Sequence, residues 1–328
     1  MSVRYPRLRA VLPILSALVA ALVLAGCAGP DPDQAPAPST PGASGQGAVN
    51  TSPDQQRIRA PKVDAIAAEV PAAIRARGTL VVGLDGKGTP PLTFHADDDR
   101  TIIGIEPDIA QLVADTLGLR LDVQPTSWEN LFLAVESGQY DTGFSNITVT
   151  EERKDKYDFA TYRVDTVAFE AARNSPIQHV AQPSDLAGRA VAVSAGTNQE
   201  QILLRWDAKN KAAGLAPMKI QYYQSVGDYY LALQSGRIDL YLGPYPGSAY
   251  HVAVKGETKI VGQISGGGDI TADIAAMTKK DNGLVKPLNG ALNAVIKNGA
   301  YAQVLQRWNL SNEAVPSSQV NPPGLPRT

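Results

Sequence analysis

Cysteine is nearly absent from this chain: Cys27 is the only one in 328 residues. An intrachain disulfide is therefore impossible, and a cysteine-ligated metal or a cysteine nucleophile goes with it if Cys27 is acylated. Histidine is almost as scarce, at His95, His179 and His251. The three make no His-x-x-x-His pair, and none stands with an acid in a base-and-orienter spacing. His95, close to Asp97, Asp98 and Asp99, reads as a solvated hairpin loop. No cofactor and no metal are expected. Neither sign of charge dominates, with 30 basic against 32 acidic side chains and a net charge of −2. No basic run follows the first residues, so nucleic acid is excluded as a partner. Long apolar runs are missing too. The run from Val11 to Leu24 falls short of the roughly 20 residues that a membrane span needs.

That run has another meaning. It follows Arg4, Arg7 and Arg9 and ends in Leu24-Ala-Gly-Cys27. A basic start, a short apolar segment and small residues before the cut describe a secretory signal. Leu-Ala-Gly-Cys resembles the bacterial lipobox, in which the Cys becomes the lipid-bearing first residue. The expectation is a signal peptide over 1–26, lipidation at Cys27, and a lipid anchor on the extracytoplasmic face of the cell membrane. Stable anchoring takes several acyl chains. Residues 27–61 are rich in Pro, Ala and Ser without an apolar period, and read as a disordered linker. Residues 315–328 are similar in composition and read as a loose tail.

Between these ends a short unit occurs twice, as Leu133-Ala-Val-Glu-Ser-Gly-Gln-Tyr-Asp141 and Leu231-Ala-Leu-Gln-Ser-Gly-Arg-Ile-Asp239. Each copy reads as a helix end, a Gly stop and an Asp leading into a strand; Gly138 and Gly236 suit the left-handed position after a helix. Strand patterns alternate with helical ones on both sides, as in Thr79–Gly83 and Gly104–Gly118, or Ala190–Ser194 and Asn198–Ala213. Val63–Ala76 carries a helical period that Pro71 interrupts. The expected fold is α/β: two lobes, each a mixed sheet flanked by helices. Lobe one takes 62–166 and 264–314, lobe two 167–263. The chain crosses near Asp165–Ala171 and Val261–Ser265, a two-strand hinge over a cleft.

An ordered series of motifs runs through both lobes: Gly104-Ile-Glu-Pro-Asp108, Trp128-Glu129, Ser137-Gly-Gln-Tyr-Asp141, Ile147-Thr-Val-Thr-Glu-Glu-Arg153, Phe159-Ala-Thr-Tyr162 and Gly196-Thr-Asn-Gln-Glu200. In this order and spacing the chain resembles the bacterial extracellular solute-binding proteins of family 3, the polar amino-acid receptors of ABC importers. The resemblance covers about residues 77–310. It implies a periplasmic-binding-protein type II fold, acting as a monomer, that closes on a small ligand and delivers it to an ABC permease and its ATPase. It also implies a site. Arg153 would clamp a ligand carboxylate through paired N–H groups; taken alone, it is an exposed Arg beside Glu151 and Glu152. Ser145, Asn146 and Thr148 would add polar contacts, and Gly196, Thr197 and Asn198 would offer backbone N–H groups at a helix start. Thr197 as a plain N-cap is compatible with that. Trp128 would form an aromatic wall, or else be core. Asp85, after the first strand, reads a ligand side chain or simply ends the strand.

One departure stands out. Family receptors carry an Asp five residues past the position of Asp239 to take the ligand's ammonium; here that place is Pro244, which offers no carboxylate. Asp269 and Asp273 are the candidate substitutes. Seven of the 12 tyrosines fall between Tyr222 and Tyr250. Tyr245 beside Trp128 would hold a cation between aromatic faces, which points to a polar amino acid or a relative with a modified amine. Two other functions fit such a fold. One is a ligand sensor for a membrane kinase or receptor; the other is a periplasmic lyase of the cyclohexadienyl dehydratase type, for which the scarce histidines offer no base. The expectation is a binding protein, not an enzyme.

Overall fold

Pro71 splits the first helical period in two: α1 (Asp64–Ala67) ends before it, and α2 (Ala72–Arg77) starts after it with Pro71 as its N-cap. Proline is tolerated there because the first helical N–H groups lack intrahelical partners. The chain is seen in a computed structural model that describes residues 49–86 and 88–327. The signal segment, Cys27 and the linker up to residue 48 lie outside the described residues.

The chain continues through β1 (Thr79–Asp85), a small hairpin of β2 (Phe94–His95) and β3 (Ile102–Ile103), α3 (Ile105–Leu117), β4 (Arg120–Thr126), α4 (Trp128–Ser137), β5 (Thr142–Gly143) and β6 (Tyr157–Val164). It crosses at Asp165 into β7 (Thr166–Ala172), β8 (Ala190–Val193), α5 (Asn198–Ala212), β9 (Lys219–Tyr222), α6 (Val226–Gln234), β10 (Leu240–Pro244), α7 (Tyr245–Lys255) and β11 (Thr258–Ser265). It returns through residues 266–272 to β12 (Asp273–Lys279), α8 (Val285–Asn298) and α9 (Ala300–Arg307). The second crossing thus follows Ser265; Val261–Ser265 is still strand β11, not hinge.

Two five-stranded sheets result, ordered β4-β1-β5-β12-β6 and β11-β7-β10-β8-β9. In the first, β1 is parallel to β4 and β5, while β12 runs antiparallel to β5 and β6. In the second, β8 is parallel to β9 and β10, and β7 runs antiparallel to β10 and β11. This is the two-lobed α/β arrangement expected, with mixed sheets. One core is built on Leu80, Val82, Ile109, Leu112, Leu292 and Trp308, the other on Phe169, Val191, Leu203, Trp206 and Leu240.

The repeated unit does the same work twice. Gly138 and Gly236 sit at φ 80° and 69°, the left-handed turn that ends each helix. Beyond them, Asp141 Oδ2 accepts from Val81 N at 2.8 Å, and Asp239 Oδ2 accepts from Ala190 N at 2.8 Å. Each Asp therefore fastens its own strand to the next parallel strand of its sheet.

Both chain ends depart from expectation. Residues 49–61 are not a free linker but an extended strap on lobe one. Arg57 Nε lies 3.0 Å from Asp108 Oδ1, and Arg59 makes a two-pronged pair with Asp115 at 2.6 and 2.5 Å, both acids on α3. Gln55 is buried and accepts from Arg307. The strap has no apolar period to advertise it, since charge pairing and Ile58 against the core hold it. The tail is not loose either. β6 is an edge strand, and the tail covers that edge: Thr161 N donates to Gln319 O at 3.0 Å, Asn321 N to Phe159 O at 3.0 Å, and Leu325, fully buried, bridges to Thr150. An extended Pro-rich segment suits an edge, where half its backbone groups need no partner.

Candidate functional site

The parallel strands β1, β5, β8 and β10 deliver their C-terminal ends to one cavity between the sheets. From the first sheet come Asp85, Ser145 and Asn146, with Trp128 at the start of α4. From the second come Thr197, Asn198 and Pro244. The Asp85 backbone N–H donates to Ser145 Oγ at 2.9 Å, tying the two strand ends together. Asn146 holds φ at 51°, a left-handed conformation uncommon outside glycine, which is found at binding sites more than elsewhere. Its side-chain oxygen accepts from Arg163 at 2.7 Å. Thr197 is the N-cap of α5: its Oγ1 accepts from Glu200 N at 3.2 Å and donates to Ser194 O at 2.7 Å.

Four of the expected residues lie outside the lining. Arg153 does not pair with Glu151 or Glu152. Glu151 takes Lys154 at 2.7 Å, and Glu152 accepts from Gln201 at 3.2 Å. Arg153 instead donates to Thr148 O at 2.7 Å and, across the cleft, to Gly196 O at 3.0 Å. Its guanidinium carbon sits 5.3 Å from the Trp128 ring and 5.1 Å from the Phe132 ring. Burial pushes its pKa down to about 10, with the Asp165 carboxylate opposing that shift. Thr148 is buried and turns its hydroxyl to Asp165 Oδ2 at 2.7 Å. Gly196, at φ 72°, offers its carbonyl to Arg153, while its N–H goes to Glu200 Oε2 at 2.6 Å.

Tyr245 is the clearest correction. It opens helix α7 and lines a second cavity with Pro91, Tyr250 and Trp308, so no Tyr245–Trp128 pair forms at the cleft. Tyr229 and Tyr241 reach the cleft instead, stacked at 3.8 Å. Neither acid named as a candidate for the place of Pro244 is in the cleft lining. Asp269 is exposed and paired with Lys209 at 3.2 Å, and Asp273 starts β12 outside the lining.

Two cleft groups and one at the hinge had no site role assigned from the sequence. Glu106, on the first turn of α3, lines the cavity yet is completely buried. Thr93 lines it too. Asp165, at the crossing, accepts from Thr148 and from Asn198 Nδ2 at 2.9 Å, and burial raises its pKa to about 6. Each is a polar residue within an apolar or extended stretch, where pattern alone cannot tell a buried partner from a solvated one. His95 is exposed but lies on strand β2, not in the loop that carries Asp97, Asp98 and Asp99; its strand neighbour Phe94 is core. His251 does have an acid, Glu170, at 2.9 Å, but both lie away from the cleft lining. Among the described residues no group of His, Cys, Asp and Glu is arranged to hold a metal.

The family model for "Bacterial extracellular solute-binding proteins, family 3" matches residues 80–311. This chain belongs to that family. The L-cystine-binding protein TcyJ of Escherichia coli K12 is 28% identical over 242 residues, 72% of this chain and 84% of the relative. The arginine-binding protein ArgT of Corynebacterium glutamicum is 28% identical over 262 residues, covering 79% and 83%. Among solved structures, an ancestral arginine-binding protein bound to arginine superposes with a TM-score of 0.61 at 26% identity, covering 71% of this chain and 98% of that one. The fold is therefore that of the periplasmic amino-acid binding proteins, and these curated relatives are binding proteins rather than enzymes. Among the described residues no helix is long and apolar enough to cross a membrane.

Proposed function

We propose that this family member is a lipid-anchored, monomeric receptor that binds a polar amino acid in the inter-lobe cleft and delivers it to an ABC permease and its ATPase. The observation that carries the reading is the cleft itself: Asp85, Asn146 and Trp128 from one lobe face Thr197 and Asn198 from the other, with Arg153 alongside Trp128 and bonded across the gap. Arg153 uses two of its five N–H donors on carbonyls, and the others are the candidate clamp for a carboxylate. Asp85 is the candidate reader of the ligand's side chain. Cys27, in its Leu-Ala-Gly-Cys setting, is the candidate lipid site. Lobe one takes 62–165 and 266–314, with the strap and tail added, and lobe two 166–265, so that β7 and β11 stay whole in the second sheet.

Calorimetric titration of the protein with the twenty standard amino acids and L-cystine tests the reading. Saturable binding of at least one, with micromolar or tighter affinity, is the expected result. Absence of heat for all of them would overturn it.

A further inference from the structure

The residue at the family's ammonium position is Pro244, and no charged side chain of the second lobe lines the cleft among the described residues. That lobe contributes neutral groups such as Ser194, Asn198, Gln224 and Tyr241. The cleft's carboxylates, Asp85 and Glu106, both come from lobe one.

Glu106 is anchored from behind. Its Oε1 accepts from Arg163 Nη2 at 2.6 Å and from Asn146 N at 3.2 Å, and its Oε2 accepts from the Tyr162 hydroxyl. Arg163 is wholly buried and also pairs with Glu313. Two carboxylates thus share one guanidinium, which leaves a surplus negative charge inside lobe one when both are ionised. Such a surplus is costly unless a cation meets it. A carboxylate has about four acceptor sites, and three bonds reach Glu106, so one site remains on Oε2.

A second group points the same way. Thr93 lines the cavity and is 4% exposed, and its Oγ1 is buried without a hydrogen-bond partner. The backbone places it beside Glu106, because Glu106 N donates to the carbonyl of the preceding residue, Leu92, at 3.1 Å. A buried hydroxyl left unpaired is a site that a ligand donor would complete.

We propose that Glu106 and Thr93 take the ligand's α-ammonium group, in place of the acid missing at Pro244. The proposal rests on the amino-acid reading of the cleft and sharpens it. Both ionic ends of the ligand are then held by lobe one, Arg153 at the carboxylate and Glu106 at the ammonium. Lobe two closes with neutral hydrogen bonds and aromatic surface alone.

The test titrates the protein with L-arginine and L-cystine, each against its analogue without α-amino groups: 5-guanidinopentanoate and 3,3′-dithiodipropionate. The amino acid that binds should do so at least tenfold more tightly than its analogue. Thr93→Val, which spares the Arg163 network, should erase part of that preference by weakening the amino acid and not the analogue. Glu106→Gln should erase most of it. An analogue that binds as tightly as its parent, or variants that weaken both alike, would overturn the proposal while leaving the amino-acid reading standing. If neither amino acid binds but another standard amino acid does, that one and its deaminated analogue carry the same comparison. If none binds, both statements fall together.

Discussion

Asp165 and Asn198 meet at 2.9 Å across the hinge, the acid at the first crossing and the amide at the start of α5. The same carboxylate oxygen takes Thr148 from lobe one, so a single atom ties both lobes at their pivot. Its partner Oδ1 is buried without a hydrogen bond.

That arrangement makes the fold's stability depend on pH. Burial raises the Asp165 pKa to about 6; Glu313 pushes the same way, while Thr148, Arg163 and Arg153 oppose it. Below the ordinary value of 3.8 the group is protonated folded or unfolded. Between about 4 and 6 the folded chain keeps a proton that the unfolded chain has lost. Its contribution to stability is therefore lost as pH rises through that window, by about 3 kcal/mol. Melting temperatures measured from pH 4 to 7.5 should fall less steeply in Asp165→Asn than in the native protein. Parallel curves would remove this role.

Arg153→Ala should weaken amino-acid binding at least a hundredfold, since it removes the guanidinium that stands beside the cleft wall at Trp128. Arg153→Lys keeps the charge but not the planar fork, and should recover only part of the loss. Calorimetry reads both, and near-native affinity in the alanine variant would reassign the carboxylate site.

The strap contributes to stability through Arg57. Asp108 is buried, its pKa raised by desolvation, and it is held by Arg57 and by Trp308 Nε1 at 2.8 Å. Arg57→Ala should cost about 1–3 kcal/mol, because it strips a buried carboxylate of its nearer cation and leaves it Arg307 Nε at 3.6 Å. Adding Asp108→Asn should restore much of it. Chemical denaturation of the single and double variants measures the coupling.

Gly243 is a second sensitive point. A Cβ there would lie 2.2 Å from Tyr241 Oη, so Gly243→Ala must displace the ring stacked on Tyr229 at the cleft wall. Overpacking of this kind costs about 1–3 kcal/mol and should lower affinity too. Gly138→Ala meets nothing within 4 Å and carries only its left-handed strain, about 1 kcal/mol, with binding intact. A drop in affinity in Gly138→Ala would contradict this division.

The lobes could be read from the chain because their signals are local. Periodicity, Pro71 and the two Gly stops mark element ends, and Asp141 and Asp239 recur in register because each fastens equivalent strands. What escaped is tertiary. Glu106, Arg163 and Glu313 are buried only because they meet one another across 57 and 150 positions of chain. Helix α7 begins Tyr245-Pro-Gly247, a string that reads as a turn, yet proline at a helix start is permissible. That one boundary moved Tyr245 from the cleft to the second cavity. The strap and tail have the composition of disorder, and find order only on surfaces that the rest of the fold supplies.

The strap shortens the leash. If Cys27 bears the lipid, 22 residue steps reach Val49, which already lines the cavity beside Trp308, instead of 35 to Lys62. The fully extended reach falls from about 125 Å to about 80 Å.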